Sequence, residues 1–362
     1  MSDSQGARSA AEEIAISEHC DANGDHDEAI NALSRATAMG DVEATTRLGK
    51  RLIAGGDAPL LPTHGVGFLI EAFNKGGAEA ASRLAVLAAA GVYVEPGLPE
   101  ALRLLTASAA RGWAPAQQQL LALTPDRELA FRGSQAGSSG NPWQGLADTV
   151  DIDFWRSAPD GITLNESPLI RSFEGFVPDS VCGWLIDRSR GRLKRALVYD
   201  AKQGQDYASE TRTNSWAQFD LMGSELIHLL IQHRMQSACG YPLHNMEANA
   251  ILHYAVGEEI SNHYDFVDPN IPNYAAEIAQ NGQRMLTFLV YLNDDYEGGE
   301  TEFPELDIVH RGQSGEGLFF VNALENNEAD LRTVHAGRPP TRGEKWIVSQ
   351  FVRSRRVLGV EQ

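Results

Sequence analysis

Two histidines and one aspartate in the C-terminal half have the residue types and the spacing of a metal site. His263 and Asp265 are separated by a single residue, and His335 follows on a later segment. Residues i and i+2 of a β-strand share a face, so one strand can offer both His263 and Asp265 to one metal ion. Two imidazoles and a carboxylate that leave coordination positions open are the ligand set of non-haem Fe(II) centres. We therefore expect His263, Asp265 and His335 to bind iron.

A lysine strengthens this interpretation, because a His-x-Asp pair alone is common by chance. Lys345 follows His335 by ten residues and starts an apolar segment with a period of two. The alternation puts Lys345, Phe351 and Arg353 on one face, where a buried ammonium is costly unless an anion meets it. We expect Lys345 to bind a carboxylate, and Tyr254 to donate to the same group. The alternative for Lys345 is a solvated lysine at a strand end. The alternative for Tyr254 is an aromatic core residue.

The elements that must position these residues are short β-strands. The predicted strands are Leu169–Phe173, Ala196–Tyr199, Ala248–Tyr254, Glu259–Asp265, Met285–Leu292, Gly317–Val321, Leu331–His335 and Lys345–Arg353. This number of strands, with long crossings, is typical of a jelly roll, in which the pocket lies between the sheets at one open end. Asp179–Arg190 and Ser224–Ala238 are predicted helices. The polar segments Asp200–Arg212 and Asp268–Gln283 are expected to cover the pocket as a loop and a lid.

Residues 26–124 are self-similar with a period of 36. Equivalent positions are Ala29, Gly65 and Ala101; Leu33, Leu69 and Leu105; Ala36, Ala72 and Ser108; Gly40, Gly76 and Gly112; Ala44, Ala80 and Ala116; and Leu48, Leu84 and Leu120. Spacings of four keep the apolar members on one helix face, and the glycines fall between helices. A period of this length built from helix pairs indicates an α-solenoid.

Composition limits the classes of function. The chain has 43% hydrophobic residues and a formal charge of -19. Cores of useful size are therefore expected, and the charge argues against nucleic acid and anionic membranes as partners. Cys20, Cys182 and Cys239 form no zinc-type pair and are expected to be reduced thiols. No signal peptide or membrane-spanning run is seen, so a cytoplasmic location is expected.

A Gly/Ser/Asn/Pro-rich stretch around Gly133–Pro142 has the composition of a linker. We therefore expect a flexible N-terminus at residues 1–25, a helical repeat domain at 26–130, a linker at 131–150 and a second domain at 151–362. The fold class is α + β, with an α-solenoid followed by a jelly roll. Of the other histidines, His253 has the parity opposite to Tyr254, and His310 lies beside Gly312 in a predicted turn. Both are expected to be structural.

Two resemblances to known families add to this interpretation. The repeats resemble the Sel-type relatives of tetratricopeptide repeats in a degenerate form, and residues 168–354 resemble the catalytic domain of prolyl 4-hydroxylase-type Fe(II)/2-oxoglutarate dioxygenases. The segments that carry the second resemblance are Tyr254-x-x-Gly257, His263-Tyr264-Asp265, Arg284-x-x-Thr287, Tyr291-Leu292-Asn293, Gly298-Gly299-Glu300-Thr301, Phe303-Pro304, His335-Ala336-Gly337 and Gly343-x-Lys345-Trp346.

The second resemblance implies a double-stranded β-helix that uses Fe(II), 2-oxoglutarate and O2, with ascorbate as reductant. The four residues His263, Asp265, His335 and Lys345 would be catalytic, and Lys345 would hold 2-oxoglutarate with Tyr254 and Thr333. The resemblance places three residues on the substrate-binding side of the pocket, namely Arg284, Phe351 and Arg353. Peptidyl-proline enzymes of this family place a Trp and a His where this sequence has Phe351 and Arg353. An inward Arg353 suggests an acidic substrate group, and a salt bridge at the rim is the equal alternative.

The resemblance implies hydroxylation of an unactivated C–H bond with release of succinate and CO2. The preferred substrate is a prolyl or other residue of a peptide or protein, which the repeats would recruit. In the first alternative a free amino acid or small metabolite is hydroxylated, and the repeats serve structure, as a cap on the second domain, or dimerisation. The second alternative is a non-catalytic interaction module. A zinc hydrolase could use the same metal ligands, but Lys345 would then have no function. The oligomeric state is left open.

Overall fold

The computed structural model of the chain describes residues 8–125, 128, 142–200, 205–207, 209–324 and 326–358. These residues divide into two compact units. The first contains the described residues up to Val150 together with Leu221–Leu226, and the second contains those of 151–220 and 227–358. None of the described helices has both the length and the apolar character needed to cross a membrane.

The first unit is helical. Its helices are α1 Ala10–Ala22, α2 His26–Ala38, α3 Val42–Ala54, α4 Pro62–Asn74, α5 Ala78–Ala90, α6 Leu98–Ala110, α7 Ala114–Leu123 and the short α8 Pro142–Ala147. The helix α1 lies within the segment that the sequence predicted to be flexible. Ser9 and Glu12 form a capping box that starts α1, with the Glu12 carboxylate accepting from the Ser9 backbone N–H at 2.7 Å. The Ser-x-x-Glu spacing was the signal for this helix.

The positions that recur every 36 residues have equivalent environments in the first unit. Leu33, Leu69 and Leu105 are at most 2% exposed, and the alanines at 44, 80 and 116 are fully buried. Gly40, Gly76 and Gly112 all have positive φ, at 88°, 93° and 88°. Each glycine allows the next backbone N–H to bond back to the last helical turn, as Gly77 does to the Ala72 carbonyl at 2.8 Å.

The second unit is built from antiparallel strands. They are β1 Ile162–Glu166, β2 Leu169–Phe173, β3 Lys194–Arg195, β4 Val198–Asp200, β5 Gln205–Tyr207, β6 Ser215–Phe219, β7 Asn249–Tyr254, β8 Ile260–His263, β9 Arg284–Tyr291, β10 Glu297–Gly298, β11 Thr301–Phe303, β12 Ile308–His310, β13 Gly317–Val321, β14 His335–Gly337, β15 Pro340–Arg342 and β16 Lys345–Arg353. The helices are α9 Ile152–Arg156, α10 Asp179–Arg190, α11 Leu226–Cys239 and α12 Pro272–Asn281, with 3-10 turns at Leu243–Asn245, Pro304–Leu306 and Leu331–Thr333.

Two sheets face each other in this unit. The larger has the strand order β1-β2-β13-β9-β16-β7-β6-β3, and the smaller has the order β12-β11-β14-β8. Apolar residues of both meet in one core, among them Leu252, Leu289 and Phe320 from the larger sheet and Ile260 and Phe303 from the smaller. The arrangement is a double-stranded β-helix, and the predicted fold class is confirmed.

Some local predictions were wrong. The segment predicted as a strand from Leu331 starts as a 3-10 turn, because the Asp330 side chain accepts the Arg332 backbone N–H, and the strand begins only at His335. The segment Asp268–Gln283 contains the helix α12, which begins at Pro272, and its role as a lid stays a prediction. His310 lies on β12 and not in a turn.

The cysteines contribute little chemistry. All three are unpaired. Burial raises the pKa of the Cys182 thiol to about 12 and that of Cys239 to about 11, so both stay protonated at neutral pH.

Candidate active site

His263 and His335 stand directly opposite each other on the paired strands β8 and β14. Their ring centroids are 4.2 Å apart. Asp265 follows two residues after His263, just beyond the end of β8, and its oxygens lie 3.4 Å from the His263 Nε2 and 3.3 Å from the His335 Nε2. One ligand atom from each of the three side chains lies within 4.8 Å of the others. The structure therefore brings the three predicted metal ligands together.

Backbone carbonyls orient both imidazoles. The His263 Nδ1 lies 2.9 Å from the Ser261 carbonyl, and the His335 Nδ1 lies 3.0 Å from the Thr333 carbonyl. A carbonyl can only accept, so each Nδ1 carries a proton and each Nε2 faces Asp265. This is the arrangement that metal-bound histidines require of their surroundings.

Asp265 is held by two further side chains. The Thr287 hydroxyl donates to the Asp265 Oδ2 at 2.7 Å, and the Asn322 amide donates to the Thr287 Oγ1 at 2.8 Å. Burial alone would raise the pKa of the Asp265 carboxyl, but the His335 and His263 imidazoles outweigh burial and hold that pKa well below its ordinary value. The group is an ionised carboxylate with a fixed orientation.

Lys345 is fully buried in the same unit. Its Nζ donates to the Gly299 carbonyl at 2.7 Å and lies over the rings of Tyr254 and Tyr291, at 5.3 and 5.5 Å from their centroids. Burial lowers the pKa of the Lys345 amine to about 7, and Glu300 opposes this only in part. Among the described residues no carboxylate lies within ion-pair distance of the Nζ. Such an amine is ready to accept an anionic ligand.

Two tyrosines flank this amine. Tyr254 is the direct cross-strand neighbour of Lys345, on β7. The Tyr291 hydroxyl donates to the Thr301 Oγ1 at 2.8 Å. Burial raises the pKa of both phenols above its ordinary value, so both remain hydrogen-bond donors. Sequence reasoning gave no role to Thr287, Tyr291 or Thr301, although all three lie in segments that carry the family resemblance, and it had no signal for Asn322.

One cavity of about 1030 Å³ joins these groups. It is lined by the three clustered side chains, by Lys345 and Tyr254, and by apolar residues of the larger sheet. Alternation along the strands produces this wall, because Lys345, Ile347, Ser349 and Phe351 all point into the cavity from β16. The cavity can therefore accommodate a metal ion and an anion together.

Two residues assigned from the sequence do not line this cavity. Thr333 is 1% exposed, and its hydroxyl donates to the Asp330 carbonyl at 2.7 Å. Its contribution to the site is its backbone carbonyl, which accepts a hydrogen bond from the His335 Nδ1. Arg353 is turned away because the pairing of β16 with β9 shifts register between Val352 and Arg353. A bulge of this kind breaks the alternation on which the prediction depended.

Arg353 is part of a salt-bridge network. It contacts the carboxylates of Glu247 and Glu277. Arg284 lines the cavity but is also neutralised, since it binds Glu247 through two hydrogen bonds of 2.8 and 3.0 Å and stacks 3.8 Å from the Phe351 ring centroid. Burial would raise the pKa of Glu247, but Arg284 and Arg353 lower it. Of the two alternatives that the sequence left open for Arg353, the structure has the salt bridge and not the receptor for an acidic substrate group.

The two other histidines of interest lie outside the cavity wall. The His253 Nε2 is 2.8 Å from a Glu344 oxygen, and the His310 Nε2 is 3.0 Å from a Glu316 oxygen. Neither is among the residues that line the cavity.

Comparison with known proteins agrees with this geometry. Residues 250–353, which contain all four of His263, Asp265, His335 and Lys345, match the 2OG-Fe(II) oxygenase superfamily. The chain carries a C-terminal 2OG-Fe(II) oxygenase domain. The metal and cosubstrates of this family are Fe(II), 2-oxoglutarate and O2, and the clustered donors of this chain, two imidazoles and a carboxylate, fit Fe(II).

Relatives of the oxygenase domain include prolyl 4-hydroxylases. Probable prolyl 4-hydroxylase 7 of Arabidopsis thaliana is 26% identical over 252 residues, with 64% of this chain and 76% of the relative covered. Prolyl 4-hydroxylase subunit alpha-1 of Rattus norvegicus is also 26% identical, over 233 residues, and the chain spans only 41% of that subunit.

Solved structures were matched as well. The viral collagen prolyl hydroxylase of Paramecium Bursaria Chlorella virus-1 is 26% identical with a TM-score of 0.40, covering 51% of this chain and 96% of the viral one. A Sel1 repeat protein from Oxalobacter formigenes is 23% identical with a TM-score of 0.31, covering 39% of this chain and 59% of the other.

Proposed function

We propose that His263, Asp265 and His335 bind Fe(II) and that Lys345 binds the distal carboxylate of 2-oxoglutarate. The observation that carries this proposal is the fully buried Lys345 amine, which shares one cavity with the three clustered ligands. Its hydrogen-bond partner is the neutral Gly299 carbonyl, which cannot balance a charge. A dianion spanning from the metal to Lys345 would supply that balance, with Tyr254 as a further donor.

The bound metal supplies the oxidising chemistry, in which 2-oxoglutarate and O2 yield succinate, CO2 and a hydroxylated substrate. The residues of the chain prepare this chemistry. The two backbone carbonyls behind His263 and His335 fix the ring orientation, and Thr287 fixes the carboxylate of Asp265. Apolar residues such as Leu252, Leu289 and Ile347 line the cavity and exclude water from it.

The proposed substrate is a prolyl or other residue within a peptide or protein. The relatives named above are prolyl 4-hydroxylases at 26% identity. A cavity of about 1030 Å³ is at the upper end of the range for small-ligand pockets, so it has room for a peptide segment beside 2-oxoglutarate. Ascorbate is the proposed reductant, and the unpaired cysteines favour the reducing cytoplasm as the compartment.

The helical unit is proposed to recruit the protein substrate, since α-solenoids offer extended binding surfaces. Recruitment predicts that the full-length chain has a lower KM for an intact protein substrate than for the short peptide that contains the same target residue. Equal KM values for the two substrates would contradict recruitment.

The iron site is tested with the full-length protein, Fe(II), 2-oxoglutarate and ascorbate. His263→Ala is expected to abolish both metal binding and succinate release, whereas the exposed His64, changed to Ala, serves as a control that retains both. Mass spectrometry of a host lysate treated with the enzyme should then show peptides that gain one oxygen atom. Succinate release that survives His263→Ala contradicts the iron site, and products that are only free amino acids contradict the peptide substrate.

A further inference from the structure

The cavity wall carries more positive charge than the proposed reaction uses. The basic residues that line it are Lys194, Arg195, Arg212, Arg284 and Lys345. Lys345 is assigned to 2-oxoglutarate under the proposed function, and Arg284 is neutralised by its paired hydrogen bonds with Glu247. Lys194, Arg195 and Arg212 are left, and these three residues form a basic wall of the cavity.

No described carboxylate lies within ion-pair distance of the basic wall. Within the described part of the chain, the Arg195 Nη2 donates to a neutral acceptor, the Ser209 carbonyl, at 3.3 Å. The Nε of Arg212 is buried and has no acceptor among the residues that the structure describes. The whole chain has a formal charge of -19, so carboxylates are abundant elsewhere on its surface. Three cations left without such partners at the cavity are therefore suited to an anion that comes from outside.

Backbone hydrogen bonds hold one member of the basic wall, Arg212, beside the candidate metal site. Arg212 forms a β-bridge with Ile260. On either side of it, the Ser261 N–H donates to the Thr211 carbonyl and the Thr213 N–H donates to the Glu259 carbonyl, both at 2.9 Å. These bonds tie Arg212 to β8, the strand that ends at His263.

The position of Lys194 at the cavity is set by strand pairing in the larger sheet. It stands opposite Trp216 in the pairing of β3 with β6. Trp216 and Gln218 line the cavity, whereas Ala217 and Phe219 are buried on the other face of β6. Opposite residues of an antiparallel pair share a face, so Lys194 points to the cavity side.

We propose that the basic wall binds a carboxylate of the substrate, so that the enzyme selects peptides with Asp or Glu next to the hydroxylated residue. This inference rests on the proposed function, in which the cavity receives a peptide. The guanidinium of Arg212 supplies a planar fork that matches a carboxylate, and the more exposed Lys194 and Arg195 add a longer-range attraction. The basic wall thus determines specificity and takes no part in the hydroxylation step.

Binding of labelled peptides to the full-length protein tests the inference without requiring turnover. Three peptides share one central proline and differ only in a neighbouring Glu, Gln or Lys. The Glu peptide is expected to bind about tenfold more tightly than the Gln peptide, a ratio that corresponds to about 1.4 kcal/mol, and the Lys peptide is expected to bind most weakly. Raising the ionic strength should shrink the preference for Glu.

Two variants locate the preference. Arg212→Gln and, separately, the exposed Lys194→Gln should weaken binding of the Glu peptide several-fold and binding of the Gln peptide far less. Lys75→Gln, a surface change in the helical unit, is the matched control and should alter neither. Because Lys194 is exposed, its variant remains informative if Arg212→Gln fails to fold.

Equal binding of the Glu and Gln peptides overturns the inference. So does a result in which the variants raise the KM for 2-oxoglutarate and leave the peptide preference intact, because the basic wall would then attract the cosubstrate. If the Glu peptide is preferred but no proline is hydroxylated, the inference stands and the prolyl substrate of the proposed function fails.

Discussion

His263 and His335 are directly opposite partners in the β8–β14 ladder, although β9 to β13 lie between them in the chain. The register of one antiparallel pair therefore sets the distance between the two imidazoles. Asp265 completes the cluster from just beyond β8, where the backbone is free to leave the sheet. The geometry of the candidate metal site is thus a property of the smaller sheet.

Thr287 should control metal affinity. Thr287→Val removes the hydroxyl that donates to the Asp265 Oδ2 at 2.7 Å and leaves the Asn322 amide without its acceptor. We expect metal binding to weaken about 10- to 100-fold, as is typical when the hydrogen-bond partner of a ligand is lost. Anaerobic titration with Fe(II) or Co(II) measures this directly. Thr287→Ser keeps the hydroxyl and should recover most of the affinity, and an unchanged affinity in Thr287→Val would contradict the prediction.

Lys345→Met should stabilise the ligand-free protein while it abolishes 2-oxoglutarate binding. Burial holds the pKa of the folded amine at about 7, against an ordinary 10.5, so the charged form disfavours folding. This penalty is fully present below pH 7 and disappears as the pH rises toward 10.5. Replacing such a group by an apolar one is expected to stabilise the fold by about 1–4 kcal/mol.

Denaturant unfolding at pH 6 and pH 9 tests the effect of Lys345→Met on stability. The gain should be larger at pH 6, and a loss of stability at both values would show that the Lys345 amine stabilises the fold without a ligand.

Binding of 2-oxoglutarate should weaken as the pH rises above 7. The anion requires a protonated Lys345, and the pKa of that amine is about 7 before the ligand binds. Each pH unit above this value should therefore reduce the affinity by up to about tenfold, since one unit corresponds to about 1.4 kcal/mol. Calorimetry on the Fe(II)-loaded protein without O2 between pH 6.5 and 8.5 measures the slope. An affinity that stays flat over this range would exclude Lys345 as the titrating receptor.

Gly299 should tolerate no side chain. Its φ is 70°, and an added Cβ would lie 2.8 Å from the Tyr296 ring. The carbonyl of the same residue accepts from the Lys345 Nζ, so the strain should reach the anion site. We expect Gly299→Ala to lower the free energy of unfolding by about 1–3 kcal/mol and to weaken 2-oxoglutarate binding.

Gly183→Ala is the matched control for Gly299→Ala. Gly183 lies in α10, and no atom lies within 4 Å of an added Cβ, so this change should be neutral or stabilising by up to about 1 kcal/mol. Similar losses of stability in the two variants would contradict the strain argument.

The sequence alone predicted those features that depend on local periodicity. A period of 36 marked the buried positions of the helical unit, and the strand Leu169–Phe173 and the helix Asp179–Arg190 have the predicted bounds. Alternation along β16 also placed Lys345 and Phe351 on the cavity face, because side-chain direction in a regular strand depends only on parity. These features follow from the order of residues along one element.

Pairings between distant segments were decided only by the tertiary structure. A register shift between β16 and β9 turned Arg353 into the Glu247 network, and the edge strand β3 and its neighbour β6 brought Lys194 and Trp216 to the cavity wall. The pairing of β9 with β13 brought Thr287, on β9, together with Asn322, the residue directly after β13. Thr287 in turn contacts Asp265. Such contacts depend on register and bulges between strands far apart in the chain, and no local period encodes them.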